Sequence, residues 1–173
     1  GGKVYGPRGM GALFVRRGTS IEPIIYGGGQ ERSLRSGTEN VPAIMGFAKA
    51  LEIAAKEREV ETDRVMELRN FLTQGLTKIR PDLTVNAGLN LQASPHILNV
   101  SIPGIDNEFF VLQLDAAGVA ISTKSSCLQD EDESYVLKAI GADSKTSVRF
   151  SFGRFTKKRD LTKTLKIMAK ILG

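Results

Sequence analysis

One cysteine, one histidine and no near-continuous apolar run of about 18 residues: these scarcities narrow a chain of 173 residues before any motif is read. A single cysteine excludes a disulfide within the sequence and a Cys-rich metal site, so no metal is expected, and it points to a reducing compartment. The missing apolar run removes a membrane-spanning helix. No phosphate-loop signature of the GxxxxGK[ST] type occurs, and there is no internal repeat or low-complexity linker. Hydrophobic residues at 41% and charged residues at 25% are ordinary for a globular protein, which makes disorder, collagen and coiled coil poor readings. The opening Gly1-Gly2-Lys3 is too short and polar for a signal peptide and is compatible with vector-derived residues.

Charge is present but uneven. Residues 143–173 hold nine Lys/Arg against two Asp/Glu, or +7; the net +5 of the whole leaves −2 for the rest. A basic tail can meet nucleic acid or an anionic surface, yet this one has helical order. Leu161, Leu165, Met168 and Leu172 recur at helical spacing, with Lys157, Lys158, Lys163, Lys166 and Lys170 largely off that stripe. Aromatic residues are not interleaved with the charges, so a solvated helix face is favoured over a nucleic-acid site. The acidic run Asp130-Glu131-Asp132-Glu133 reads as wet loop.

Glycine clusters early, at Gly1, Gly2, Gly6, Gly9 and Gly11, then Gly27-Gly28-Gly29 and Gly37. Residues 12–15 read as a short buried strand. A helix is expected over 41–56, on Val41, Ile44, Ala48, Leu51 and Ala55, capped by Asn40 with Pro42 in its first turn. A second helix carries Val65, Leu68, Leu72, Leu76 and Ile79 and ends at Pro81. Strands are expected at 83–85, 97–102, 119–122 and 148–152, and helices at 106–116, 135–140 and along the basic tail. Strands alternating with helices argue a two-layer α/β sandwich. The Gly-rich opening reads as the end of something else, leading into a compact unit at about residue 40.

Four places invite chemistry. Cys127 follows Ser122-Thr-Lys-Ser-Ser in a small, polar stretch, which favours an exposed reactive thiol over a buried one; Lys124 favours thiolate and the acidic run opposes it. The segment 27–38 joins three glycines to Arg32, Arg35, Ser36 and Thr38, donors suited to a phosphate or carboxylate, and reads equally as a flexible surface loop. Arg149 alternates with Val148 and Phe150 on a strand, where it either faces water or is held for a carboxylate. His96, beginning a strand after Pro95, is best read as structural.

Taken together, these segments resemble the C-terminal half of a cysteine desulfurase, a pyridoxal-phosphate enzyme of the class V aminotransferase group. The resemblance rests on Lys3-Val-Tyr-Gly-Pro-Arg-Gly9, Gly27-Gly-Gly-Gln-Glu-Arg32, Arg35-Ser-Gly-Thr-Glu-Asn-Val-Pro42, Pro95-His-Ile-Leu-Asn-Val100, Ser125-Ser-Cys127 and Ser147-Val-Arg-Phe-Ser-Phe-Gly-Arg-Phe155, in the family's order over essentially the whole chain. It implies an α/β fold: the C-terminal small domain of a fold-type I pyridoxal-phosphate enzyme over residues 40–173, with 1–39 as the residual edge of the cofactor-binding large domain. It further implies that Lys3 forms the Schiff base with the cofactor aldehyde and shuttles protons. Cys127 would be the nucleophile that takes sulfur as a persulfide, and Arg149 would pair with the substrate α-carboxylate. Thr38 would reach the cofactor phosphate of the partner subunit in a homodimer.

The implied reaction turns L-cysteine into L-alanine and passes sulfur to an acceptor or iron–sulfur scaffold protein for cluster or thio-cofactor assembly, in the cytoplasm or an organelle matrix. The alternatives are a selenocysteine lyase, an aminotransferase, or a non-enzymatic module that binds a sulfur acceptor. Three departures stand out. Gly2 occupies the place of the family's histidine before the lysine, the residues that hold most of the cofactor are not among these 173, and the loop after Cys127 is acidic. The chain alone is therefore expected to be inactive and to bind pyridoxal phosphate weakly at best.

Overall fold

A computed structural model describes residues 1–86, 93–124 and 134–173. The chain divides into two compact units, Gly1–Glu59 and Val60–Gly173. One helix, α1, Val41–Ile79, begins in the first and runs on into the second. Its start follows the expected cap: the Ala43 N–H donates to Asn40 Oδ1 at 3.2 Å. The two helices expected over 41–56 and to Pro81 are thus one. Residues 57–63 contain no glycine or proline to stop a helix, and five of the seven lie exposed, so the lapse in apolar rhythm marks a largely solvated stretch rather than a break.

The second unit is built on a three-stranded antiparallel sheet in the order β1, Thr84–Asn86; β2, Ile97–Ser101; β3, Ser147–Ser151. The register sets Leu98 opposite Phe150 and Val100 opposite Val148, all essentially buried. Strand side chains alternate between faces, so these four and Val85 make one apolar face. Helices cover it: Val65, Leu68, Leu72 and Leu76 of α1, Phe110 and Leu114 of α2 (Asn107–Ala116), and Leu161 and Met168 of α4 (Lys158–Leu172). This is the two-layer α/β arrangement. A short α3, Tyr135–Ala139, buries Leu137.

Local chemistry sets the helix ends. Asp106 caps α2 through the Phe109 N–H at 2.9 Å, and Asn107 Nδ2 holds the carbonyls of Ser144 and Ser147 at 2.6 and 2.8 Å. Gly118, with φ 82°, closes α2 while the Val119 N–H returns to the Leu114 carbonyl at 2.8 Å. Asp160 reaches back from the first turn of α4 to the Lys157 N–H at 3.1 Å. The lysines of α4 named above are exposed, as a solvated face requires, and the Lys158 ammonium sits 4.8 Å from the Phe71 ring centroid.

Two strand expectations fail. Residues 12–15 form no ladder, and Leu13 and Phe14 are 77% and 88% exposed: the apolar run has no partner strand among the described residues. Residues 119–122 meet β3 only at Ser122, whose N–H and C=O bond Arg149 at 3.2 and 2.7 Å. A cleft of about 530 Å³ nearby is walled by Gly118, Ala120, Phe152, Lys163, Thr164 and Ile167. Among the described residues no helix is long and apolar enough to cross a membrane.

Arg64 ties α1 to the approach of α4. Its guanidinium donates to the Thr156 and Gly153 carbonyls at 2.9 and 3.1 Å and forks onto Glu61 at 2.7 and 2.6 Å. The hydrogen bond from Arg64 holds the Glu61 carboxyl below its ordinary value, outweighing the opposing effect of burial. A carboxylate with a depressed folded pKa stabilises the fold above its unfolded pKa and loses that contribution as pH falls through the folded one. Wild type should therefore exceed Glu61→Gln by about 0.5–1 kcal/mol at neutral pH. Denaturant titrations from pH 7 downward should show the gap closing only below about pH 4.3.

Gly75 lies where α1 meets α4. A Cβ there would stand 2.4 and 2.6 Å from the two Leu165 methyls and 3.0 Å from its Cγ. Helix propensity alone predicts that Gly75→Ala gains about 1 kcal/mol. Overpacking of the half-buried Leu165 costs about 1–3 kcal/mol and wins. Gly75→Ala should lower stability, and the same change in a Leu165→Ala background should raise it, as a double-mutant cycle by chemical denaturation would read directly.

Candidate active site

Lys3 belongs to a short 3-10 turn, Gly2–Val4, and its side chain is exposed. It borders an open depression of about 540 Å³ in the first unit, together with Arg8, Phe47 and Leu51. The depression thus pairs a primary amine and a guanidinium with an aromatic and an aliphatic wall.

The segment 27–38 is ordered by its own polar groups. Gln30 Oε1 accepts from the Gly37 N–H at 3.2 Å, Ser36 Oγ donates to the Ile25 carbonyl at 3.4 Å, and the Arg35 guanidinium bonds the Ser36 carbonyl. Of the four donors read from the sequence, Arg35 and Ser36 are therefore engaged within the loop. Arg32 and Thr38 are exposed, and the Thr38 hydroxyl bonds none of the described residues. The turn is sharp: Glu31, Arg32 and Ser33 all take left-handed backbone angles, φ 50°, 60° and 64°. For a residue with a Cβ this costs about 1–2 kcal/mol each.

In the second unit Arg149 occupies the middle of β3, with its backbone N–H and C=O both given to Ser122. Its Nε is buried and has no hydrogen-bond partner among the described residues. An unpaired buried donor costs about 1–3 kcal/mol, so it marks a place where an acceptor fits. Around it the sheet's second face is polar. Asn99 Oδ1 accepts from Asn86 Nδ2 and from Ser147 Oγ, both at 2.6 Å, and Asn86 Nδ2 also reaches Ser101 Oγ at 2.8 Å. Asn86 and Ser147 are themselves buried.

The structure thus brings Lys3 and Thr38 into the first unit and Arg149 into the second. Cys127 and the acidic run 130–133 lie outside the described residues. His96 is structural: its Nδ1 lies 3.1 Å from the Phe152 carbonyl, and its own carbonyl accepts the Phe152 N–H at 2.9 Å. The Asn86–Asn99–Ser147 network escaped the sequence reading. Its signal was there in the period-two recurrence of Asn99 and Ser101 on one strand and Ser147 and Arg149 on the next.

The family model for aminotransferase class-V matches residues 1–163, and the chain belongs to that family. It is 40% identical over 174 residues to the cysteine desulfurase IscS of Dictyoglomus turgidum and 39% identical to IscS 1 of Archaeoglobus fulgidus. Each alignment covers 98% of this chain, but only 44% and 45% of the relative, so the chain spans less than half the length of these proteins. Among solved structures, a NifS-like protein superposes with a TM-score of 0.83 at 34% identity, covering 98% of this chain and 44% of that one. The NifS-like protein of Rickettsia africae follows at 0.73 and 29%, covering 88% and 40%. The fold is that of NifS-like proteins, and the family is pyridoxal-phosphate dependent.

The left-handed turn yields a prediction. Glycine removes the Cβ penalty at position 33 at an entropic cost of about 0.5–1 kcal/mol. Ser33→Gly should therefore raise stability by a net of about 0.5–1 kcal/mol, seen as a higher denaturation midpoint.

Proposed function

We propose that this chain is the C-terminal part of a pyridoxal-phosphate-dependent cysteine desulfurase, with 40–173 its small domain and 1–39 the edge of its cofactor domain. The observation that carries the reading is Arg149: a guanidinium at the middle of β3 with a buried donor left open. Such a group suits the α-carboxylate of an amino acid, bound through paired N–H donors. The first unit agrees with being the edge of something larger, since Phe14, Ile24 and Tyr26 are 88%, 91% and 79% exposed.

The donor set fits the cofactor. The Lys3 amine is free at the mouth of its depression to hold the cofactor aldehyde and to move a proton at Nζ, and the Thr38 hydroxyl is available to a phosphate, by the family's pattern that of a partner subunit in a homodimer. When bound, pyridoxal phosphate supplies an electron sink for the substrate's α-carbon. Arg149 orients the amino acid by its carboxylate. Cys127 then takes the substrate sulfur: cysteine's Cβ–S bond breaks, an S–S bond forms on Cys127, and L-alanine leaves. The net exchange, L-cysteine plus a thiol giving L-alanine plus a persulfide, balances without an outside oxidant or reductant. The persulfide is next passed to a sulfur-acceptor or iron–sulfur scaffold protein, in the cytoplasm or an organelle matrix.

Sequence order agrees with a partnership of thiol and arginine. Ser122, whose backbone bonds Arg149, precedes Cys127 by five residues in the sequence.

The test is intact-mass analysis of the full-length protein after incubation with pyridoxal phosphate and L-cysteine. Wild type should gain one reducible sulfur atom and release L-alanine, while Cys127→Ala should gain none and lose nearly all alanine release. Equal alanine release by both would overturn the reading. The 173 residues alone should show no strong cofactor absorption band.

A further inference from the structure

The polar face of the sheet holds more than Arg149. Asn99 is the residue directly opposite Arg149 across β2 and β3. Because both backbone groups of Arg149 are turned to Ser122, the Asn99·Arg149 pair is of the type without mutual backbone bonds, where Cα atoms approach to about 4.5 Å and side chains lie closest. Both side chains stand on the same face.

The Asn99 amide is fixed in one sense. Its oxygen already accepts two short hydrogen bonds, from Asn86 and from Ser147, which is 0% exposed. What remains is the Nδ2 group, a donor only, which bonds none of the described residues. On the residue directly opposite, Arg149, the Nε is likewise open. Two neighbouring side chains therefore present N–H donors with no acceptor between them, and one is clamped from behind by a buried network.

We propose that Asn99 is a second carboxylate-binding residue, which donates through Nδ2 to the α-carboxylate that Arg149 pairs with, and that Asn86 and Ser147 hold its amide in that orientation. This rests on the carboxylate reading of Arg149 given above. Neutral Asn99 adds a directional donor where a second cation would repel Arg149. It selects substrates that carry a carboxylate over amines that lack one.

Asn99→Asp is the informative variant. It keeps an oxygen for Asn86 and Ser147 to bond, but replaces the free donor with a second oxygen that pairs with Arg149 and closes the site to an anion. In the full-length protein with pyridoxal phosphate, it should raise KM for L-cysteine about tenfold, the worth of one hydrogen bond to a charged group, with little change in kcat. Calorimetric binding of L-alanine should weaken by a similar factor, while binding of cysteamine, which has no carboxylate, should not. Asn99→Ala should move the same quantities in the same direction, with thermal denaturation reporting any loss of fold. L-Alanine and L-cysteine affinities that stay at the wild-type level in both variants would overturn the proposal. Equal weakening of L-alanine and cysteamine would also overturn it, by revealing a structural role alone. Arg149→Ala serves as the reference: if it leaves L-alanine binding intact, the carboxylate reading of Arg149 itself is wrong, whatever the Asn99 variants do.

Discussion

The pairing of Leu98 with Phe150 and of Val100 with Val148 fixes the second unit, because sliding either strand by one residue would send those four apolar side chains to the other face. The same register leaves no choice for the residues between them. Asn99, Ser101, Ser147 and Arg149 must stand on the far face, and there they find Asn86 at its matching position on β1. The polar cluster is in this sense a by-product of burying the apolar one. Ser122 completes the placement by taking the N–H and C=O that β3 shows at Arg149. That bond holds the arginine's backbone at the start of the segment that leads to Cys127.

The first unit is governed by backbone shape rather than by packing. Three consecutive left-handed residues, Glu31 to Ser33, store several kcal/mol by order of magnitude. Hydrogen bonds from Gly37 to Gln30 and from Ser36 to Ile25 help hold the turn against that strain. The result brings Thr38 to the surface just ahead of Asn40, the cap of α1. A loop that shapes itself in this way can present a hydroxyl without relying on a hydrophobic core. It also explains why a segment with so little buried surface keeps a defined turn.

What could be read from the sequence follows from which signals are local. The cap at Asn40, the stripe of α4 and the alternation of Arg149 with Val148 and Phe150 on β3 each depend on residues a few positions apart, and the structure repeats them. The misread places all needed long-range knowledge. Residues 12–15 have a strand's composition but no partner, and residues 57–63 lose apolar rhythm because that part of α1 is exposed. Likewise 119–122 bridges to β3 at Ser122 alone, which no local pattern could show. For the site, Arg149 was visible as a charge inside an apolar strand. Asn99 was not, because its meaning comes from a register shared with a strand 48 residues away by its bond to Ser147.

A buried, hydrogen-bonded amide network beside an unsatisfied guanidinium nitrogen is an uneven distribution of polar satisfaction, and the unevenness is informative. Asn86 Nδ2, Asn99 Oδ1 and Ser147 Oγ bond one another at 2.6 to 3.5 Å, which leaves the Asn99 Nδ2 donor open as well. The Arg149 Nε finds no acceptor on that face among the described residues. Its donor is left open where neighbouring acceptors are already saturated. Folding alone gains nothing from that arrangement, since an unpaired buried donor costs about 1–3 kcal/mol. The cost is recovered when an acceptor arrives from outside, and a carboxylate, with two oxygens and a full charge, recovers most of it. A site that is unsatisfied by construction and rigid in its surroundings is one prepared for a ligand that comes and goes.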